Sequence, residues 1–91
     1  MAKSIITDDM EHCIECGRTP AYVHHVFDGC RRQNSEAEGC VIPLCWDCHR
    51  KIHTEPSQRM MHRWHREAQL IWEEKNPNRN FLKVFGKNYV Y

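Results

Sequence analysis

Two C-x-x-C pairs constrain this chain more than any other feature. Cys13-Ile14-Glu15-Cys16 and Cys45-Trp46-Asp47-Cys48 are separated by 28 residues. Two such pairs can set four thiolates tetrahedrally around one Zn²⁺ at about 2.3 Å each. Gly17 follows the first pair and suits the tight turn of a zinc knuckle. A redox role for one pair would want a thioredoxin-like βαβ context, and the sequence holds none. The bland alternative is a set of thiols without metal. The first residues contain no apolar stretch of the secretory kind. The expected compartment is therefore the cytoplasm, where disulfides do not persist. A structural zinc on Cys13, Cys16, Cys45 and Cys48 is the expectation. It would supply on the order of 10–16 kcal/mol of apparent binding energy, which becomes folding energy. Cys30 and Cys40 fall outside the pattern and are expected as small buried side chains.

Ninety-one residues, 41% hydrophobic and 27% charged, read as one small globular domain spanning residues 1–91. The net charge is only +1, so no global field drives the chain onto nucleic acid or membrane. Any basic site must be a local patch. No apolar run approaches the roughly 20 residues that span a bilayer, and no membrane partner is expected. Charge is uneven along the chain, at −2 for residues 1–12, 0 for residues 13–53 and +3 for residues 54–91. All six Cys and four of the seven His lie between positions 13 and 53. A short acidic lead-in, a metal-rich centre and a basic helical tail follow from this.

Residues 21–27, Ala-Tyr-Val-His-His-Val-Phe, are rich in β-branched and aromatic side chains and predict a strand. Asp28-Gly29 opens a predicted loop that runs through Arg31, Arg32, Gln33, Asn34 and Ser35 to Gly39. Val41 to Leu44 predicts a second short strand, with Pro43 implying an edge or strand end. Trp46 to His53 has helical character, and Pro56 ends it. A longer helix is predicted from Ser57 to about Lys75, with Met61, Trp64, Ala68, Ile71 and Trp72 on one face. Asn76-Pro77-Asn78 breaks it. Phe81, Leu82 and Phe85 predict a last helical turn or two before Gly86 as C-cap. The fold class is α+β.

Histidine is the second unusual residue. His49 and His53, spaced i, i+4, share one face of a helix and can present two ring nitrogens to one metal. The bland alternative for such a pair is a solvated helix surface. His24-His25 is a doublet on the first strand, where neighbours point to opposite faces. One His of the doublet would complete a three-histidine site with open coordination positions, the catalytic kind. The other would lie nearby without binding, free to take a proton from water. His62 and His65 are spare imidazoles on the long helix. Either can replace His53 if the first helix ends early.

Taken together, Cys13-x-x-Cys16, His24-His25-Val26-Phe27-Asp28-Gly29, Arg31-Arg32, Gly39, Ile42-Pro43-Leu44-Cys45-x-x-Cys48-His49 and His53 resemble the HNH endonucleases. The core of that family is a ββα-metal hairpin and helix. The 24 residues between His24 and His49, and the three between His49 and His53, are similar to the colicin-type nuclease domains. A closer resemblance is to small phage and prophage HNH proteins related to a phage recombination-enhancement nuclease, whose ending resembles residues 80–89. The resemblance covers about residues 4–90.

It implies a small zinc-bound ββα-metal domain at residues 13–53 with a helical extension at 57–91. His24, His49 and His53 would be catalytic metal ligands and His25 the general base. The activity would be metal-dependent hydrolysis of DNA phosphodiesters to a 5′-phosphate product, in a bacterial host cytoplasm. Partners would be DNA and a recombinase filament or other phage DNA-processing protein. Zn²⁺, Ni²⁺, Co²⁺ or Mn²⁺ suits three imidazoles, while Mg²⁺ is the less natural choice. Arg31 and Arg32 are candidate phosphate contacts, against a solvated loop. Arg59, Arg63 and Arg66 are first of all a soluble helix face. One departure stands out. The Asn that commonly holds the base His in this family is matched by Cys40, a poor orienting acceptor. Asn34 is the alternative in the same loop. The rival function is a non-catalytic zinc-bound DNA- or protein-binding module.

Overall fold

The computed structural model describes residues 4–27 and 31–90. Its elements run β1 (Tyr22–His25), α1 (Arg32–Glu38), β2 (Val41–Leu44), α2 (Trp46–Thr54), α3 (Arg59–Lys75) and α4 (Phe81–Phe85). The class is α+β, as expected. β1 and β2 pair antiparallel, with His24 opposite Ile42 and His25 opposite Val41. Both strands are edges of a two-stranded sheet, which is where Pro43 is tolerated. The free Pro43 carbonyl accepts the Ile14 N–H at 2.9 Å. That bond ties the first cysteine pair to β2. The lead-in is held the same way, with Ser4 Oγ donating to the Val41 carbonyl at 2.6 Å.

The expected loop from Arg31 to Gly39 is instead mostly helix, α1. The residues Gln33, Glu36, Ala37 and Glu38 favour a helix, and Gly39 closes it at φ 77°. A long-range anchor settles the matter. Ser35 is fully buried, and its hydroxyl accepts the Phe27 N–H at 2.9 Å while donating to the Phe27 carbonyl at 2.7 Å. Asp28, Gly29 and Cys30, where that loop was expected to begin, lie outside the described residues.

β1 is shorter than expected, ending at His25 rather than Phe27. Val26 and Phe27 are buried and turn toward α1. α3 starts two residues later than the Ser57 expectation. Gln58 adopts a left-handed φ of 53° inside a turn closed by its N–H to the Glu55 carbonyl, so the helix begins only at Arg59. Its inward face carries Met60, Ala68, Gln69 and Trp72. Met61, Trp64 and Ile71, expected on that face, are only partly buried.

The core centres on Phe27. Its ring lies 5.2 Å from Phe81, 4.9 Å from Phe85 and 4.8 Å from Tyr89. The helical extension thereby packs on the end of β1. Asn80 caps α4 by accepting the Lys83 N–H, and Gly86 closes it at φ 76°. No helix among the described residues is long and apolar enough to cross a membrane.

Candidate metal centres

The two C-x-x-C pairs meet. Cys13 and Cys16 come from the turn before β1, while Cys45 caps α2 and Cys48 lies in its first turn. All four Sγ atoms lie within 4.8 Å of one another. Cys16 Sγ is 3.5 Å from Cys45 Sγ, too far for a disulfide and close to the roughly 3.8 Å that tetrahedral ligands at 2.3 Å require. Gly17, at φ 78°, makes the turn after the first pair, and its N–H reaches the Cys13 carbonyl at 2.8 Å. Burial pushes the Cys13 thiol up, but hydrogen bonds from the Cys45 and Cys16 backbone outweigh it and bring the thiol to about 7. Cys48 is pushed up by burial and by its bond to Cys45. Four soft donors at this spacing suit a structural metal such as zinc.

Cys40 stays apart, as expected. It is fully buried, and burial pushes its thiol up to about 12. Cys30 falls outside the described residues.

A second cluster lies along the same helix. His24 on β1 meets His49 and His53 on α2, with candidate ligand nitrogens all within 4.8 Å of one another. Ring centroids are 5.2 Å apart for His24 and His49, 5.4 Å for His24 and His53, and 4.9 Å for His49 and His53. α2 continues to Thr54, so His53 reaches the cluster itself. Neither spare imidazole takes its place: His62 is exposed, and His65 stacks on Phe27 at 5.6 Å. The three rings differ in burial. His24 is buried, His49 partly so and His53 exposed, which leaves the cluster open on the α2 side. Burial, then the neighbouring His49 and His53, pulls His24 down to about 3. Burial and His53 also lower His49. Neutral imidazoles are the form that binds metal.

His25, the last residue of β1, lies against α1. Its Nε2 is buried and has no hydrogen bond among the described residues, and Glu36 Oε2 lies 3.5 Å away. Glu36 was not legible as a neighbour of His25, because the helix that carries it was expected as loop. Asn34, the expected alternative partner, donates instead to the Val84 carbonyl at 2.9 Å. Arg31 is part-buried, and its Nε donates to the Phe85 carbonyl at 2.8 Å, so it also serves packing. Arg32 is exposed at the start of α1. On α3, Arg63 pairs with Glu15, while Arg59 and Arg66 are exposed.

Comparison of the chain with protein-family models, with curated proteins and with solved structures finds no match.

Proposed function

We propose that this chain is an HNH-type endonuclease, a ββα-metal domain that hydrolyses DNA phosphodiester bonds with a divalent metal. Structural zinc on the four cysteines would hold the domain together. The observation that carries the reading is the convergence of His24, His49 and His53 from β1 and α2, with His25 next in the chain. A helix that gives cysteines to one cluster and histidines to the other fixes both centres on one rigid element.

A divalent ion bound by the three imidazoles supplies Lewis-acid polarisation of a phosphoryl oxygen and stabilises charge on the leaving oxygen. The chain's own groups do the rest. His24 is kept neutral by burial and offers a lone pair at any ordinary pH. His25 accepts the proton of the attacking water, a contribution typically worth about 10²–10⁴-fold. Arg32, exposed at the start of α1, is available to a DNA phosphate. DNA is the substrate of this reading, with a recombinase filament or another phage DNA-processing protein as partner in a bacterial cytoplasm.

The rival reading is a non-catalytic zinc-bound DNA- or protein-binding module. The observation favouring it is that His25 Nε2 makes no hydrogen bond among the described residues, to Cys40 and Asn34 included. Plasmid nicking decides between them. The zinc-loaded protein should nick supercoiled DNA when Mn²⁺ or Ni²⁺ is added, and His25→Ala should not. No metal-dependent cleavage of single- or double-stranded DNA, with or without a recombinase filament, would leave the binding module.

A further inference from the structure

His25 presents an anomaly. A buried ring nitrogen without a hydrogen bond is unfavourable and calls for an explanation. Nε2 of His25 is such an atom. The His25 side chain is only 13% exposed, and the carboxylate oxygen of Glu36 stands 3.5 Å from that nitrogen. This is just beyond the 2.7–3.2 Å of a formed N–H···O bond, taken as about typical. The Glu36 side chain is 60% exposed, so it has room to turn. Its backbone is fixed, because α1 is anchored through Ser35 to Phe27, two residues past His25. The helix therefore delivers an adjustable carboxylate to one edge of a largely buried imidazole.

We infer that Glu36 is the positioning residue of His25: its carboxylate accepts a hydrogen bond from Nε2–H and so holds the ring in one tautomer and one orientation. A neutral imidazole has one donor and one acceptor nitrogen. With the proton fixed on Nε2, the lone pair resides on Nδ1, which becomes the atom able to take a proton from water. Glu36 then fills the role that neither Cys40 nor Asn34 fills. It does so from α1 rather than from β2. The catalytic consequence rests on the nuclease reading above; the tautomer does not.

The test separates the two. Long-range ¹H–¹⁵N spectra of the zinc-loaded full chain report which nitrogen of His25 carries the proton. Wild type should be predominantly Nε2–H. Glu36→Ala should give a mixture of tautomers, and Glu36→Gln, which keeps an oxygen acceptor, should restore most of the wild-type population. Glu36 is exposed on a helix, so both variants should fold, and circular dichroism checks this. In the cleavage assay Glu36→Ala should lower kcat about 10–100-fold, as loss of a partner that orients an imidazole does. KM should stay unchanged, and Glu36→Gln should recover most of the rate. An Nδ1–H wild type, or a tautomer population indifferent to Glu36→Ala, overturns the inference whatever the activity. A tautomer shift without any loss of kcat in an active enzyme overturns the positioning role. A shift in a protein that cuts no DNA leaves the Glu36–His25 bond standing and removes the nuclease reading instead.

Discussion

Glu15, between the two cysteines of the first pair, accepts the Trp64 indole N–H at 2.7 Å. The same oxygen pairs with Arg63. One carboxylate thus fastens the turn holding Cys13 and Cys16 to the middle of α3, 49 residues further along the chain. It connects the cysteine cluster to the helical extension, beside the links that Arg31, Asn34 and Glu38 make to Phe85, Val84 and Arg79.

Glu15→Ala should therefore destabilise the metal-loaded protein. A part-buried indole N–H loses a charged acceptor, worth about 1–3 kcal/mol. Urea unfolding of the zinc-loaded protein measures it. The variant should still bind zinc, since no ligand is removed. An unchanged midpoint would mean that the contact carries no stability.

The cysteine cluster makes a sharper prediction. Protein purified without added metal should contain about one zinc per chain. Cys13→Ser with Cys16→Ser should abolish it and leave a chain that melts far lower or fails to fold. Zinc content and melting temperature both unchanged in that double variant would sink the assignment. Cys40→Ser, by contrast, should leave zinc content intact, because Cys40 lies buried outside the cluster.

Ser35→Ala should weaken the fold although it removes only one oxygen. The hydroxyl satisfies both the N–H and the carbonyl of Phe27, and all three groups are buried. Leaving a buried backbone group unpaired costs roughly 1–3 kcal/mol. Hydrogen exchange should show faster opening at the Phe27 amide in the variant. Wild-type exchange there would contradict the role given to Ser35.

What could be read from the sequence was what depends on local spacing. The Cys pairs, the i, i+4 histidines, β2 and the Gly86 cap are each written within a few adjacent residues. α1 was missed because it has no apolar stripe to supply a helical period. Its support is tertiary: Ser35 on Phe27, Arg31 on the Phe85 carbonyl and Asn34 on the Val84 carbonyl. The Glu36–His25 proximity was lost with it. On α3, Met61 and Trp64 pack against the core while staying partly buried, and the neighbouring Met60 is buried. Gln69 is buried there as a polar residue, with its amide donating to Asn88 and its carbonyl accepting the Tyr89 N–H at 2.7 Å. No periodicity argument anticipates such partners.

Glu38 gives a pH dependence with a definite sign. Its bond from Arg79 holds the carboxyl below its ordinary 4.5, against partial burial and with help from the Trp72 N–H. The folded value is thus lower than the unfolded one, and between the two the unfolded chain binds more protons. Stability from this group is present above about 4.5 and is lost as pH falls below it. Glu38→Gln should melt lower than wild type at neutral pH, and the gap should narrow on acidification. A gap that stays constant from pH 7 to pH 4 (roughly the window set by the carboxyl) would exclude the linkage.

The last prediction separates ligand from base. His53 is exposed at the mouth of the histidine cluster, so His53→Ala removes one candidate ligand without touching the core. Binding of Ni²⁺ or Mn²⁺ to the zinc-loaded protein should weaken in this variant, and cleavage should fall with it. His49→Ala should behave alike, since both rings come from one face of α2. His25 faces α1 instead, so His25→Ala should keep wild-type Ni²⁺ affinity while losing cleavage, mainly in kcat, because a base acts only as the transition state forms. Calorimetry on the three variants reads the first quantity and nicking rates the second. Burial holds His24 and His49 below the ordinary imidazole value, so affinity for Ni²⁺ in wild type should persist as pH drops through about 6.5 and fall only on further acidification. If His53→Ala and His49→Ala bind Ni²⁺ as tightly as wild type, the three rings do not form a metal site, and the close approach of His24 to them is packing alone.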